Sequence, residues 1–196
     1  SSFTQNRCAL GREGAPSHKT DVLWDVSCVS GRSCVAVGSE THPRHFIVEQ
    51  WNGSHWKRKS IGRPAHGGDD FLLDISCPRA GECFAVGGDQ GINNEIERLH
   101  HGRWSRSKIR GISGSFRAID CATPTHCVAG GSAYNSRTQT YPALASAWNG
   151  NAWSTTFIPV REGYSGNVDD ISCPTSRLCV GLGQAGGSRD GFVWRR

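Results

Sequence analysis

Four times along the chain two cysteines stand six residues apart: Cys28 and Cys34, Cys77 and Cys83, Cys121 and Cys127, Cys173 and Cys179. Ahead of the first cysteine runs Asp25-Val26-Ser27, Asp74-Ile75-Ser76, Ala118-Ile119-Asp120 or Asp170-Ile171-Ser172. Beyond the second runs Val35-Ala36-Val37-Gly38, Phe84-Ala85-Val86-Gly87, Val128-Ala129-Gly130 or Val180-Gly181-Leu182-Gly183. Short apolar runs on either side of a polar loop read as two antiparallel strands, A and B, and cysteines at the two ends of such a hairpin fall within disulfide range. Zinc is the rival reading, but five intervening residues exceed the usual two to four, and the pairs lie in separate repeats. A disulfide closing so short a loop is worth roughly 2 kcal/mol, so four of them are staples added to a core.

Each repeat also carries a second hairpin. Trp51-Asn52-Gly53-Ser54-His55-Trp56 returns as Trp148-Asn149-Gly150-Asn151-Ala152-Trp153 and, altered, as Leu99-His100-His101-Gly102-Arg103-Trp104. Asn-Gly between apolar runs predicts a type I′ turn with positive φ at both central residues, and lets the flanking tryptophans face one another across the strands. Strand C then runs from Phe46 to Trp51 and strand D from Trp56 to Ile61. First cysteines are spaced by 49, 44 and 52 residues (28 to 77, 77 to 121, 121 to 173). Four antiparallel strands at that period predict an all-β chain and a four-bladed β-propeller, since a trefoil would show three repeats and a solenoid polar caps. Blades are expected at about 21–61, 70–109, 115–158 and 167–196, the last completed by 1–10, within one domain of residues 1–196.

The last boundary comes from the chain ends. The fourth repeat stops at strand C, Phe192-Val193-Trp194-Arg195-Arg196. Joining Arg196 to Ser1 lays Trp194-Arg195-Arg196-Ser1-Ser2-Phe3 on Trp51 to Trp56, and the spacing from Cys173 through the join to Cys28 is 51 residues, among the others. The N-terminal strand is therefore expected to complete the last blade and close the ring, leaving no open sheet edge. Cys8 then falls in the slot of Ile61, Ile109 and Ile158, where a free thiol is buried and inert.

The Asp-(Val/Ile)-Ser-Cys, Cys-x-Ala-Val-Gly and Trp-Asn-Gly-x-x-Trp elements resemble the disulfide-bearing propeller repeats of secreted bacterial proteins, over nearly the whole chain. The resemblance implies a secreted β-propeller and no particular activity, because propellers host many unrelated functions.

Composition narrows the partners. The 196 residues are 36% apolar and 20% charged with 25 glycines, and no run is long enough to span a membrane. The net charge of +5 is scattered through the repeats, which predicts a soluble surface and no nucleic-acid partner. A chain with no methionine that begins Ser1-Ser2-Phe3 reads as a mature form freed of its signal peptide, extracellular and monomeric.

Function is sought where the repeats differ, in the B-to-C and D-to-A connections, which share one face of a propeller. Blade 1 brings His18, Lys19, His42, Arg44 and His45 there, and the next connection His66, Asp69 and Asp70. Blade 3 brings Tyr134, Asn135, Arg137 and Tyr141, with Tyr164 and Asn167 entering before blade 4. Aromatic rings with amide and charged groups suit sugars, which offer apolar ring faces and many hydroxyls. The expected function is a non-enzymatic binding module for a glycan or cell-surface polymer, with no cofactor. One alternative is a small polysaccharide lyase or hydrolase using histidine and tyrosine of these loops as acid and base. The other is a protein-interaction subunit or inhibitor. The repeated aspartates are expected to hydrogen-bond between blades rather than catalyse, and His55, His100, His101 and His126 to be solvated or packed on tryptophan. Three imidazoles and a carboxylate could hold zinc or copper, but no spacing such as His-Glu-x-x-His supports a metal.

Overall fold

Each repeat forms its own antiparallel sheet. The computed structural model describes residues 21–40, 45–59, 61, 70–89, 93–107, 109, 111–159, 164–185 and 188–195. The first sheet is β1 (Asp21–Ser30), β2 (Ser33–Glu40), β3 (Phe46–Trp51) and β4 (Trp56–Lys59), and the second is β5 (Asp70–Arg79), β6 (Glu82–Asp89), β7 (Asn93–His100) and β8 (Arg103–Arg106). The third is β9 (Gly114–Thr123), β10 (His126–Ala133), β11 (Ala143–Trp148) and β12 (Trp153–Phe157), and the fourth β13 (Gly166–Thr175), β14 (Leu178–Ala185) and β15 (Ser188–Arg195). Within every sheet the strands pair in chain order. These are the four expected blades. The strand expected from residues 1–10, with Phe3 and Cys8, lies outside the described residues, so the fourth sheet has three described strands. No described helix is long and apolar enough to cross a membrane.

A single irregularity explains the glycine that ends each Cys-x-Ala-Val-Gly run. Strand A carries a register shift after Leu23, Leu72 and Val168, with a matching shift in β9 between the partners of Gly130 and Gly131. The shift pushes a strand A carbonyl against the facing residue of strand B. A Cβ there would sit 1.9 Å from the Val22 oxygen at Gly38, 1.9 Å from Phe71 at Gly87, 2.0 Å from Ser115 at Gly131 and 1.9 Å from Asn167 at Gly183. Only glycine leaves room for the bulge.

The cysteine pairs sit as expected, bonded in all four blades with Cα atoms 4.0, 4.1, 3.9 and 4.0 Å apart. Such bonds form and persist in an oxidising compartment. The Trp51 and Trp56 rings meet at 5.7 Å and those of Trp148 and Trp153 at 5.5 Å. The turns between them differ from expectation. Gly53 and Gly150 have positive φ (98° and 96°), whereas Asn52 and Asn149 do not. Asn52 Oδ1 instead accepts the N–H groups of Ser54 and His55, and Asn149 Oδ1 those of Asn151 and Ala152. The asparagine side chain thus builds a four-residue loop in which Trp51 pairs with Trp56. The I′ turn appears where Asn-Gly is lost: His101 (φ 49°) and Gly102 (φ 76°) join the directly paired His100 and Arg103.

The cores lie between sheets. Val35, Val37, Phe46 and Val48 pack on Leu72, Ile75 and Leu99; Phe84, Val86 and Ile96 on Phe116, Ile119 and Trp148; Val128, Ala143 and Ala145 on Val168 and Ile171. Ile61, Ile109 and Ile158, whose slot Cys8 shares by repeat position, each flank one of these cores. Among the described residues no such core joins the fourth sheet to the first.

Candidate ligand-binding face

Alternating strand direction puts the B-to-C and D-to-A connections at one end of the blades and the A-B and C-D hairpins at the other. The connection from β10 to β11 folds back on itself. Asn135 and Thr140 form an isolated bridge, Asn135 Oδ1 accepts the N–H of Arg137 at 3.0 Å, and Gln139 turns the chain at φ 54°. At its foot stand Tyr134 and Tyr141, rings 5.2 Å apart at 47°. They are 41% and 38% exposed.

Main-chain bonds join this loop to both neighbouring connections. Tyr134 N–H donates to the Ser113 carbonyl at 2.6 Å, and Gly166 N–H donates to the Tyr141 carbonyl at 2.7 Å. Tyr141 N–H in turn donates to Ser165 Oγ at 3.1 Å, beside Tyr164, which is 43% exposed. All three tyrosines of the chain thus belong to two stitched loops at the end of the third and fourth blades.

Asn135 and Arg137 are exposed in the same loop. Asn167 is the second residue of β13, its amide donating to Asp169. In blade 1 His45 is half-buried ahead of β3, its carbonyl accepting the Glu40 N–H, and Asp70 opens β5 opposite Asp89. His18, Lys19, His42, Arg44, His66 and Asp69 lie outside the described residues.

The repeated acids bridge blades. Asp25 Oδ2 accepts the Ile75 N–H at 2.9 Å and Asp74 Oδ2 the Ile119 N–H at 2.6 Å. One residue pair further along, Ser27 Oγ accepts the Cys77 N–H and Ser76 Oγ the Cys121 N–H, both at 3.0 Å. In blade 3 Asp120 stands in the serine position and accepts the Cys173 N–H at 2.6 Å. Burial and the hydrogen bond with Asp25 push Asp74 up to about 8.

The hairpin end holds groups that the repeat pattern did not single out together. Glu82, His100 and His101 bring three ligand atoms within 4.8 Å of one another, the arrangement that could hold a metal. Arg79 and Arg98 already stand 3.4 and 3.8 Å from the Glu82 carboxylate, and His100 Nδ1 lies 2.6 Å from it. Burial raises Glu82, but His100 and Arg79 outweigh it and hold the carboxyl below its usual range. The cluster is therefore an ion-pair knot. The sequence signal for it was His100-His101 beside the turn. Glu95 and Glu97 form a second buried acid pair around Arg106, and burial, opposed by Arg106, lifts Glu95 to about 8. A narrow crevice of about 10 Å³ opens at the hairpin end between blades 3 and 4, lined by His126, Trp148 and Arg177 among others.

No family model matches the chain, and no curated protein matches it. Solved structures do. The WD40 beta propeller domain of Doa1 is 12% identical over 92% of this chain and 53% of its own, with a TM-score of 0.56. The fold is a β-propeller. A YCF48 bound to D1 peptide is 16% identical over 90% of the chain and 54% of its own (TM-score 0.56). A mutant Aleuria aurantia lectin in complex with alpha-methyl-L-fucoside is 12% identical over 90% and 60% (TM-score 0.51). The chain thus spans little more than half the length of these propellers, and at such identity they speak for the fold alone.

Proposed function

We propose that this propeller is a secreted, non-enzymatic binding module that recognises a glycan or cell-surface polymer through its loop face. The observation that carries the reading is the tyrosine platform: Tyr134 and Tyr141, 5.2 Å apart and about two-fifths exposed, on a loop held by backbone bonds on both sides. Exposed aromatic faces on a fixed loop stack on the C–H face of a pyranose without a large ordering penalty, and Asn135, Arg137 and the phenol hydroxyls offer donors and acceptors to the sugar hydroxyls. Four disulfides suit an extracellular setting, and the net charge of +5 favours acidic polymers. A lectin solved in complex with alpha-methyl-L-fucoside stands among the structural neighbours, which supports the reading.

A glycan array, with a parallel assay for released reducing or unsaturated ends, tests this. The expected outcome is binding without turnover. Tyr134→Ala or Tyr141→Ala should weaken that binding about tenfold, the worth of one ring contact, while leaving the melting temperature nearly unchanged. Turnover would favour the polysaccharide-degrading alternative, and binding indifferent to both tyrosines would overturn the reading.

A further inference from the structure

Consecutive blades meet in one repeated way. Strand B of one blade presents Val35 and Val37, Phe84 and Val86, or Val128, and strand A of the next presents Leu72 and Ile75, Phe116 and Ile119, or Val168 and Ile171, every one of them 9% exposed or less. A fourth pair of such faces exists and is unmatched among the described residues. Val180 and Leu182 on β14 hold the positions of Val35 and Val37 yet are 43% and 55% exposed, and Leu23 and Val26 on β1 hold those of Leu72 and Ile75 yet are 47% and 52% exposed.

Among the described residues the polar code of the seams is unmatched at the same two flanks. Between blades an Asp or Ser side chain of one strand A accepts an N–H of the next, as Asp25 does from Ile75 and Ser27 from Cys77. On blade 4 the corresponding groups are Asp170 and Ser172, both exposed, and Asp170 accepts only the N–H of its own neighbour Ile171 among the described residues. The N–H groups at the matching positions of blade 1 are those of Val26 and Cys28. The surface that fits the blade 4 flank, in apolar spacing and in hydrogen-bond positions, is therefore a blade 1 of this same chain.

We propose that two copies of the chain join head to tail, the Val180 and Leu182 flank of each against the Leu23 and Val26 flank of the other, to complete one ring. Each of the two seams repeats the three already formed within a copy, and the two-fold arrangement closes so that no flank is left over. The proposal stands on the fold and is independent of what the loop face binds.

Sedimentation equilibrium over a concentration series should give about twice the 21.2 kDa chain mass, with a non-reducing denaturing gel showing monomer so that Cys8 is not the link. Leu182→Asp and Val26→Lys each damage both seams and should each weaken association at least about a hundredfold. Mixing the two variants should restore the dimer, because one seam then unites two unaltered flanks and the other pairs Asp with Lys, and recovery shows that both variants are folded. A wild-type mass of 21.2 kDa at every concentration would mean that the ring closes on itself and would overturn the proposal. So would polymers larger than a pair, or a Leu182→Asp chain that still dimerises.

Discussion

Asp74 accepts the Ile75 N–H of its own strand on one carboxyl oxygen and the Ile119 N–H of the next blade on the other, so both oxygens help to hold the seam between blades. The same placement makes it sensitive to pH. With its value raised from 3.8 to about 8, the folded chain keeps a proton that the unfolded chain releases, so the unfolded state binds fewer protons across that window. Stability should therefore fall as pH rises from about 4 towards 8 and level off above, with buried Glu95 acting in the same direction. Denaturant titrations at pH 5 and pH 8 should show this loss, and Asp74→Asn, which keeps an oxygen for Ile119, should flatten it. An unchanged slope in the variant would place the titration elsewhere. The structural role of these acids was legible because they recur with the strands. Glu95 and Glu82 were not, since each occurs in one repeat only and nothing in the spacing shows that Arg106 or His100 folds over it, whereas Glu97 opposite Arg106 repeats Glu49 opposite Arg58.

At the scale of the element, strand order and disulfide pairing followed from two cysteines and one glycine per repeat. The reason for that glycine did not: the bulge in strand A depends on main-chain geometry that side-chain pattern does not encode. Replacing Gly87 by Ala would put a methyl group 1.9 Å from the Phe71 carbonyl and must displace one strand. It should destabilise by about 1–3 kcal/mol. Gly31→Ala, with nothing within 4 Å of its new Cβ, serves as the control and should be near neutral. Thermal melts of the two variants measure the contrast, and equal melting points would remove the bulge from the account. The Asn-Gly turns teach a related lesson, because the rule for I′ hairpins considers φ alone, whereas Asn52 and Asn149 act through their side-chain oxygens. The tyrosine platform was legible as an irregular loop with aromatic residues. That Tyr164 joins it depends on the Tyr141 to Ser165 bond between loops 24 residues apart in sequence, and on the Gly166 to Tyr141 bond beside it, beyond the reach of local pattern.

For the whole molecule, a repeat that buries its faces against its neighbours accounts for the cores, the bridging acids and the flanks left at either end. What repeats is scaffold, and the proposed ligand site lies on the face where the repeats diverge. Hydrogen exchange with and without the glycan selected on the array measures this face directly. Bound ligand should slow exchange in residues 134–141 and 164–166, leaving the hairpin-end segments 79–82, 123–126 and 175–178 unchanged. Protection confined to those hairpin segments, around His126 and Arg177, would place the site on the opposite side of the propeller and contradict the account.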